Sequence, residues 1–203
     1  MYLPKHFTQN ERTLTLEVMR EHGFATLTTV AADGVPFATH LPVVVQDDGA
    51  ATTLHFHLAR ANPQVEMLRA GGAAMIAFLG PHAYLSPKVY PDEKRVPTWN
   101  YLAVHAYGPV EEVAEPASKD AMLKSLIALH EPAYAAQWKG LDPAFQETML
   151  GAIAVFRMPV TRLESKFKLN QHRKEAHAAM KAGYAAGNEN ERALARWMER
   201  LGL

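Results

Sequence analysis

Three consecutive pieces set the architecture: FATLTTVA (Phe24 to Ala31), then Asp33-Gly34, then VPFATHLPVVV (Val35 to Val45). The outer two are rich in β-branched and aromatic residues, which suit a pleated backbone. Asp-Gly between them supplies the positive φ of a tight hairpin turn. Pro42 cannot donate to a ladder, so it predicts a bulge or an edge in the return strand. Downstream, Gln46 to Gly49 reads as a second turn. TLHFHLA (Thr53 to Ala59) then alternates, with Leu54, Phe56 and Leu58 on one face and His55, His57 and Ala59 on the other.

Working outward, Asn62 and Pro63 open a short helix that Gly71-Gly72 ends. Ala73 to Gly80 reads as a buried strand, residues 81 to 103 as a long proline- and aromatic-rich ordered loop, and Ala103 to Val113 as another strand. Helices are expected over 117–130, from Asp142-Pro143 to about Leu150, over 171–182, and after an Asn188/Glu191 cap. One strand is expected from Ile153 to Glu164. Upstream, Thr8 and Glu11 have the spacing of a capping box ahead of an apolar stripe of Leu14, Val18 and Met19. Six or seven mostly antiparallel strands with inserted helices predict a mainly β, α+β protein of barrel or sandwich type. One domain over residues 1–203 is expected, with 165–203 as a helical appendage.

Composition narrows the chemistry. The chain has 203 residues and no cysteine, which excludes thiol catalysis, iron–sulfur clusters and disulfides. Lys plus Arg equals Asp plus Glu at 21 each, so no global field draws it to nucleic acid or an acidic membrane. No apolar run reaches the roughly 20 residues of a membrane helix. MYLPKHFTQNER at the start carries no secretory signal, and a cytoplasmic location is expected. Dinucleotide, P-loop, GxSxG and HExxH motifs are missing.

Four features could carry function. In HLARANPQ (His57 to Gln64) a strand ends, Arg60 follows and a helix opens. That pattern suits a phosphate, and equally a plain helix cap beside a surface cation. His55 and His57 lie one strand face apart, yet two ligands do not make a metal site, and no metal is assigned. VPTWNYLAVHAYG (Val96 to Gly108) mixes flat rings with directional polar groups, as a planar ligand or a subunit interface would need. From Arg157 to Arg200 there are ten Lys/Arg and five Asp/Glu, a solvated helical face or a weak nucleic-acid surface.

Six motifs, MYLPKHF, THLPVV, HLARANPQ, YLSP, VPTWNY and TRLESKFKLNQHR, occur in this order and together resemble the PaiB-type FMN-binding proteins, often labelled negative transcriptional regulators. The resemblance implies an antiparallel Greek-key split β-barrel of the pyridoxamine-phosphate-oxidase-like kind. It implies FMN as cofactor, in a homodimer with the cofactor at the subunit interface. Carried over, Arg60 and Asn62 would meet the phosphate. His40, Leu41 and Pro42, with His57, Leu58 and Ala59, would line the isoalloxazine and ribityl chain. Tyr84, Ser86, Trp99 and Asn100 would close the site, with Lys168 and Gln171 as further candidates. Val89 stands where the family usually has Trp, and Asn170 and His172 flank Gln171 where it usually has Ser and Asn. The expected role is a flavin-dependent oxidoreductase or flavin-responsive regulator. A regulator acting on DNA or a protein partner and a haem-binding split barrel are the alternatives. No catalytic residue is assigned.

Overall fold

The computed structural model describes residues 1–203. The chain divides into two compact units. One comprises Met1–His22, Phe78–His105 and Glu164–Leu203, the other Gly23–Ala77 and Ala106–Leu163.

In the second unit, β1 (Phe24–Val30) and β2 (Pro36–Pro42) form the expected antiparallel hairpin, with Thr26 opposite His40. Gly34 sits at φ 84, and the Asp33 carboxylate accepts from the Val35 N–H at 3.0 Å, the local chemistry an Asp-Gly turn needs. The return strand does not run unbroken to Val45. β2 stops at Pro42, the Val43 N–H donates to the Gly23 carbonyl at 2.8 Å, and β3 (Val44–Asp47) begins. Proline at an edge-strand terminus fits this break, since β2 ends its sheet.

β3 pairs with β4 (Thr52–Ala59), which pairs along its length with β8 (Ile153–Pro159), and β8 with β7 (Glu111–Glu112). This four-stranded sheet has order β3-β4-β8-β7. Leu54, Phe56 and Leu58 are at most 3% exposed, and the Phe56 and Phe156 rings stack 5.7 Å apart. The expected alternation thus forms one wall of the core. A glycine is obligatory at Gly108, where a Cβ would lie 2.0 Å from the Pro159 carbonyl oxygen. Three helices, α3 (Pro116–His130), α4 (Tyr134–Gly140) and α5 (Pro143–Gly151), intervene between β7 and β8. Met122 and Leu126 of α3 pack on Val155, with Val44, Val113 and Ile153 around them. The Asp142 carboxylate caps α5 by accepting from the Phe145 N–H.

The other sheet has order β2-β1-β5-β6-β9, with β5 (Ala74–Leu85), β6 (Thr98–Gly108) and β9 (Arg162–Lys168). Residues 81 to 103 are therefore not one loop, because only 86–97 lie between the two strands. Pro81 lies inside β5 all the same. The expected strand over 153–164 is two strands: Val160 and Thr161 separate β8 from β9 (Arg162–Lys168). Nine strands form in all.

In the first unit, α1 (Arg12–Glu21) buries Leu14, Val18 and Met19 as expected. The Thr8/Glu11 box does not form. Thr8 bridges Lys166, its hydroxyl donates to the Pro4 carbonyl, and the helix starts without a side-chain cap. α6 (His177–Ala185) starts later than expected, after a 3-10 turn at Lys174–Ala176. α7 (Glu189–Arg200) has the Asn188/Glu191 box complete, with Leu194, Trp197 and Met198 buried. No helix is long and apolar enough to cross a membrane.

Candidate functional site

The fourteen residues singled out from the sequence fall into two groups, one in each unit. In the unit holding β4, the group is built on the turn from that strand into α2 (Gln64–Arg69). Leu58 faces the core, Ala59 is exposed, and His57 is half-buried. Burial lowers the His57 pKa, so its imidazole is neutral at pH 7, and its Nδ1 is buried without a hydrogen-bond partner. Arg60 is held by its backbone N–H on the Ala152 carbonyl at 2.8 Å. Its Nε donates to the Gly151 carbonyl at 2.6 Å and its Nη2 to the Ile153 carbonyl at 3.1 Å. The Gly151 and Ala152 carbonyls end α5, where a cation is favoured, and that of Ile153 opens β8; the guanidinium stays exposed, and its Nη1 takes no part in these bonds.

Asn62 works in two directions. Its Oδ1 accepts from the Gln64 N–H at 2.9 Å, as a capping residue does, and its Nδ2 donates to the Thr39 hydroxyl on β2 at 3.1 Å. Beneath it, Gln64 is fully buried. Its Nε2 lies within 3.4 Å of the Leu27 carbonyl, 3.1 Å of the Thr29 hydroxyl and 3.2 Å of the Phe37 carbonyl, tying α2 to the β1–β2 hairpin. On β2, His40 Nδ1 is 3.0 Å from the Thr26 hydroxyl and its ring stacks 6.4 Å from Phe24, which is 73% exposed. Leu41 is buried and Pro42 half-buried.

The group in the other unit is made of planes. Trp99 is half-exposed, tilted against His82 at 6.0 Å and edge-on to Tyr84 at 6.5 Å, and Tyr84 is itself half-exposed. Next to them the chain turns inward: Asn100 is fully buried, its Nδ2 donates to the Tyr184 hydroxyl at 3.1 Å, and its Oδ1 has no partner. Burial first, then the charges of Glu191 and Tyr90, push the Tyr184 pKa up to about 12 against the opposing pull of the Asn100 hydrogen bond. Ser86 caps the 3-10 turn Pro87–Val89 by accepting from the Lys88 N–H. The Lys168 amine donates to the Thr98 hydroxyl at 2.5 Å, and burial lowers its pKa. Gln171 holds its own turn, accepting from the Leu169 N–H at 3.0 Å and donating to the Phe167 carbonyl. Two family departures also have structural roles. Asn170, at φ 64, donates to the Tyr90 hydroxyl at 2.6 Å, and the His172 ring packs tilted against His6 and edge-on to Phe7. Val89 is half-buried in the 3-10 turn that follows Ser86.

Sequence reasoning missed Gln64, Thr39, His82 and Tyr184. Gln64 carried no signal, since a glutamine in a helix's first turn is usually solvated. No set of three or more His, Asp or Glu side chains is placed to hold a metal.

Comparison with known proteins gives the family. The model of the family described as "Putative FMN-binding domain" matches residues 1–162. The chain belongs to this FMN-binding domain family. It is 35% identical over 182 residues to the Bacillus subtilis protein named Protease synthase and sporulation protein PAI 2, covering 86% of this chain and 84% of that one. Among solved structures it is similar to the FAD and heme binding protein from Mycobacterium smegmatis, with 15% identity and a TM-score of 0.63, covering 79% of this chain and 73% of that one. It is similar also to the flavocytochrome Anf3 from Azotobacter vinelandii, again with 15% identity and a TM-score of 0.63, covering 82% and 72%. The fold class is the antiparallel split β-barrel, α+β overall.

Proposed function

We propose that this chain is a cytoplasmic flavoprotein that binds FMN as a homodimer, with the cofactor at the subunit boundary. The observation that carries the reading is the Ala59–Gln64 turn, in which a helix opening, an exposed guanidinium and a hydrogen-bonded asparagine converge within a chain of an FMN-binding domain family.

The residues present fit such a group. His57 offers a buried nitrogen without a partner, and the half-exposed Trp99 and Tyr84 offer flat apolar faces. FMN, when bound, supplies one- and two-electron chemistry. The chain's own part is to bind and orient. Arg60 presents Nη1 to phosphate oxygens while Nε and Nη2 keep the guanidinium fixed. Asn62 holds the turn on β2 through Thr39. His40 and Pro42, with His57 and Ala59, line the ring and ribityl chain, and the buried Leu41 and Leu58 support them from the core. In the other unit Tyr84, Ser86 and Trp99, with Lys168 and Gln171, are the further flavin candidates. Asn100 serves by anchoring β6 behind Trp99 through Tyr184, rather than by touching the flavin. His57 stays a neutral imidazole at pH 7 and can share a proton with a ring heteroatom through Nδ1.

The test is a visible spectrum after FMN addition and desalting. Retained flavin bands support the reading, and a colourless protein overturns it; a Soret band on haem addition, lost with His57→Ala, favours the haem alternative. Arg60→Ala then locates the phosphate. Removing a charge-assisted hydrogen bond is worth about 1.5–3 kcal/mol, so FMN should weaken roughly tenfold or more and riboflavin hardly at all. Equal losses would reduce Arg60 to a cap of α5. A gel shift that shows no retardation at low salt removes the DNA-binding alternative.

A further inference from the structure

The flavin reading leaves His55 unused. It lies on β4 on the face opposite Leu54 and Phe56, and lines a cleft of about 240 Å³ between the outer face of the four-stranded sheet and α3. Val44, Val113, Met122 and Val155 give the cleft an apolar wall. Its polar lining is His55, Gln46, Ser118, Ser125 and Arg157. None of these belongs to the fourteen residues assigned above.

The charges in this cleft select a ligand class. Arg157 is the single ionic side chain in the lining, and no carboxylate lines it. Arg157 is paired with Glu111 through Nε and Nη2 at 2.7 Å, so Nη1 takes no part in the pair. His55 is neutral at pH 7, because burial and the Arg157 charge both lower its pKa, and it therefore keeps one N–H donor. The Ser125 hydroxyl spends its proton on the Ala121 carbonyl, which leaves lone pairs only. An ammonium group would meet the Arg157 guanidinium and no lining carboxylate, whereas a carboxylate would find Arg157 Nη1 and an imidazole N–H. Beyond His55 and Arg157 a second hollow of about 470 Å³ shares Gln46, His55 and Arg157 but adds Asp47 and Asp48. That acidic mouth repels a second negative charge.

We infer that the cleft under α3 is a second small-molecule site, sharing no lining residue with the flavin set although His57 lies opposite Val155, that takes a monocarboxylate with a compact apolar body. Its volume lies just below the roughly 300–1,000 Å³ of ordinary ligand pockets, so the guest is metabolite-sized. The carboxylate sits between Arg157 and His55, and the apolar body lies on Met122 and Val155.

The full chain, labelled at its methionine methyls and loaded with FMN where it binds, is titrated with benzoate as probe. Met122→Leu assigns the Met122 signal. The expected result is a saturable Met122 shift at millimolar or lower benzoate, weakened at least fivefold by Arg157→Gln. Ala121→Phe, an exposed position on the cleft's rim, should abolish it while leaving flavin retention unchanged. Benzylamine and succinate should bind at least tenfold more weakly than benzoate. No saturable shift, or a shift that survives both variants, overturns the site. Equal binding of benzylamine or succinate overturns the assignment to monocarboxylates. Melting curves of each variant separate loss of binding from loss of fold.

Discussion

The two candidate residue groups, one in each unit, are made by different physics. Around Ala59–Gln64 position is set by directional bonds: Arg60 on three carbonyl groups, Asn62 on a backbone N–H and a hydroxyl, Gln64 on two carbonyls and a hydroxyl. Around Trp99 position is set by ring contacts on a strand, with one buried amide, Asn100, fixing the backbone behind them. Hydrogen bonds specify angle, which suits a phosphate; ring contacts specify area, which suits a tricyclic plane. The polar turn is fixed before any ligand arrives, whereas the aromatic face stays half-open to solvent.

The contrast is sharpest at Gln64. Gln64→Leu keeps the volume but strips a donor from the Leu27 and Phe37 carbonyls and the Thr29 hydroxyl, in a site with no exposure. Leaving buried acceptors unpaired costs about 1–3 kcal/mol each at most, and relaxation recovers part of it. A stability loss of about 2–4 kcal/mol in urea unfolding is expected, with FMN affinity falling as α2 loosens. A loss under 0.5 kcal/mol would mean that apolar packing, not hydrogen bonding, places this turn.

Tyr184→Phe probes the corresponding anchor of the aromatic group. It leaves the Asn100 amide without its acceptor, so about 1–2 kcal/mol should be lost. A smaller effect than Gln64→Leu is expected because Tyr184 accepts a single bond, whereas the two hydrogens of Gln64 Nε2 serve three acceptors. If Tyr184→Phe proves the more damaging, the ranking of the two regions is reversed.

How much of this could be read in the chain depends on how local the cause is. Asp33-Gly34, Gln46 to Gly49 and Asn188/Glu191 are visible because each turn or cap is satisfied by residues two or three apart. The β4 alternation is visible because one face is core and the other is not. The Thr8/Glu11 box is equally good by spacing and fails because Thr8 is drawn to Lys166, far away in sequence. Pro81, and Val160 with Thr161, mislead for the same reason: whether a proline ends a strand, or a run of residues bends, depends on partners the local sequence does not name. The motif residues of the site were legible, while their supports Gln64, Thr39 and Tyr184 were not, since a buried amide looks like a solvated one until its neighbours are known.

Trp99→Ala tests the planar half directly. The ring is 51% exposed, so stability should change by less than about 1 kcal/mol. Lost stacking of about 1 kcal/mol should weaken FMN and riboflavin alike, by roughly fivefold. Paired with Arg60→Ala, this gives a two-by-two pattern: one change sensitive to the phosphate, the other blind to it. A Trp99 variant that discriminates between the two flavins would dissolve the division of labour.

The smallest effect expected is on acid stability. Burial is the first cause lowering the pKa of His22, His55, His57, His105 and His172. A histidine whose folded pKa lies below its unfolded value of about 6.5 binds its proton more readily when unfolded. Its contribution is therefore present above pH 6.5 and is lost as pH falls from there through the folded pKa. Urea unfolding at pH 7.5 and 5.5 should show the loss, and His57→Gln should flatten only the share due to one imidazole. FMN binding that engages Nδ1 of the neutral ring would steepen the slope, because the bound form would resist protonation further. An identical slope with and without FMN would place His57 outside the flavin's reach and leave the polar half of the site to Arg60 and Asn62.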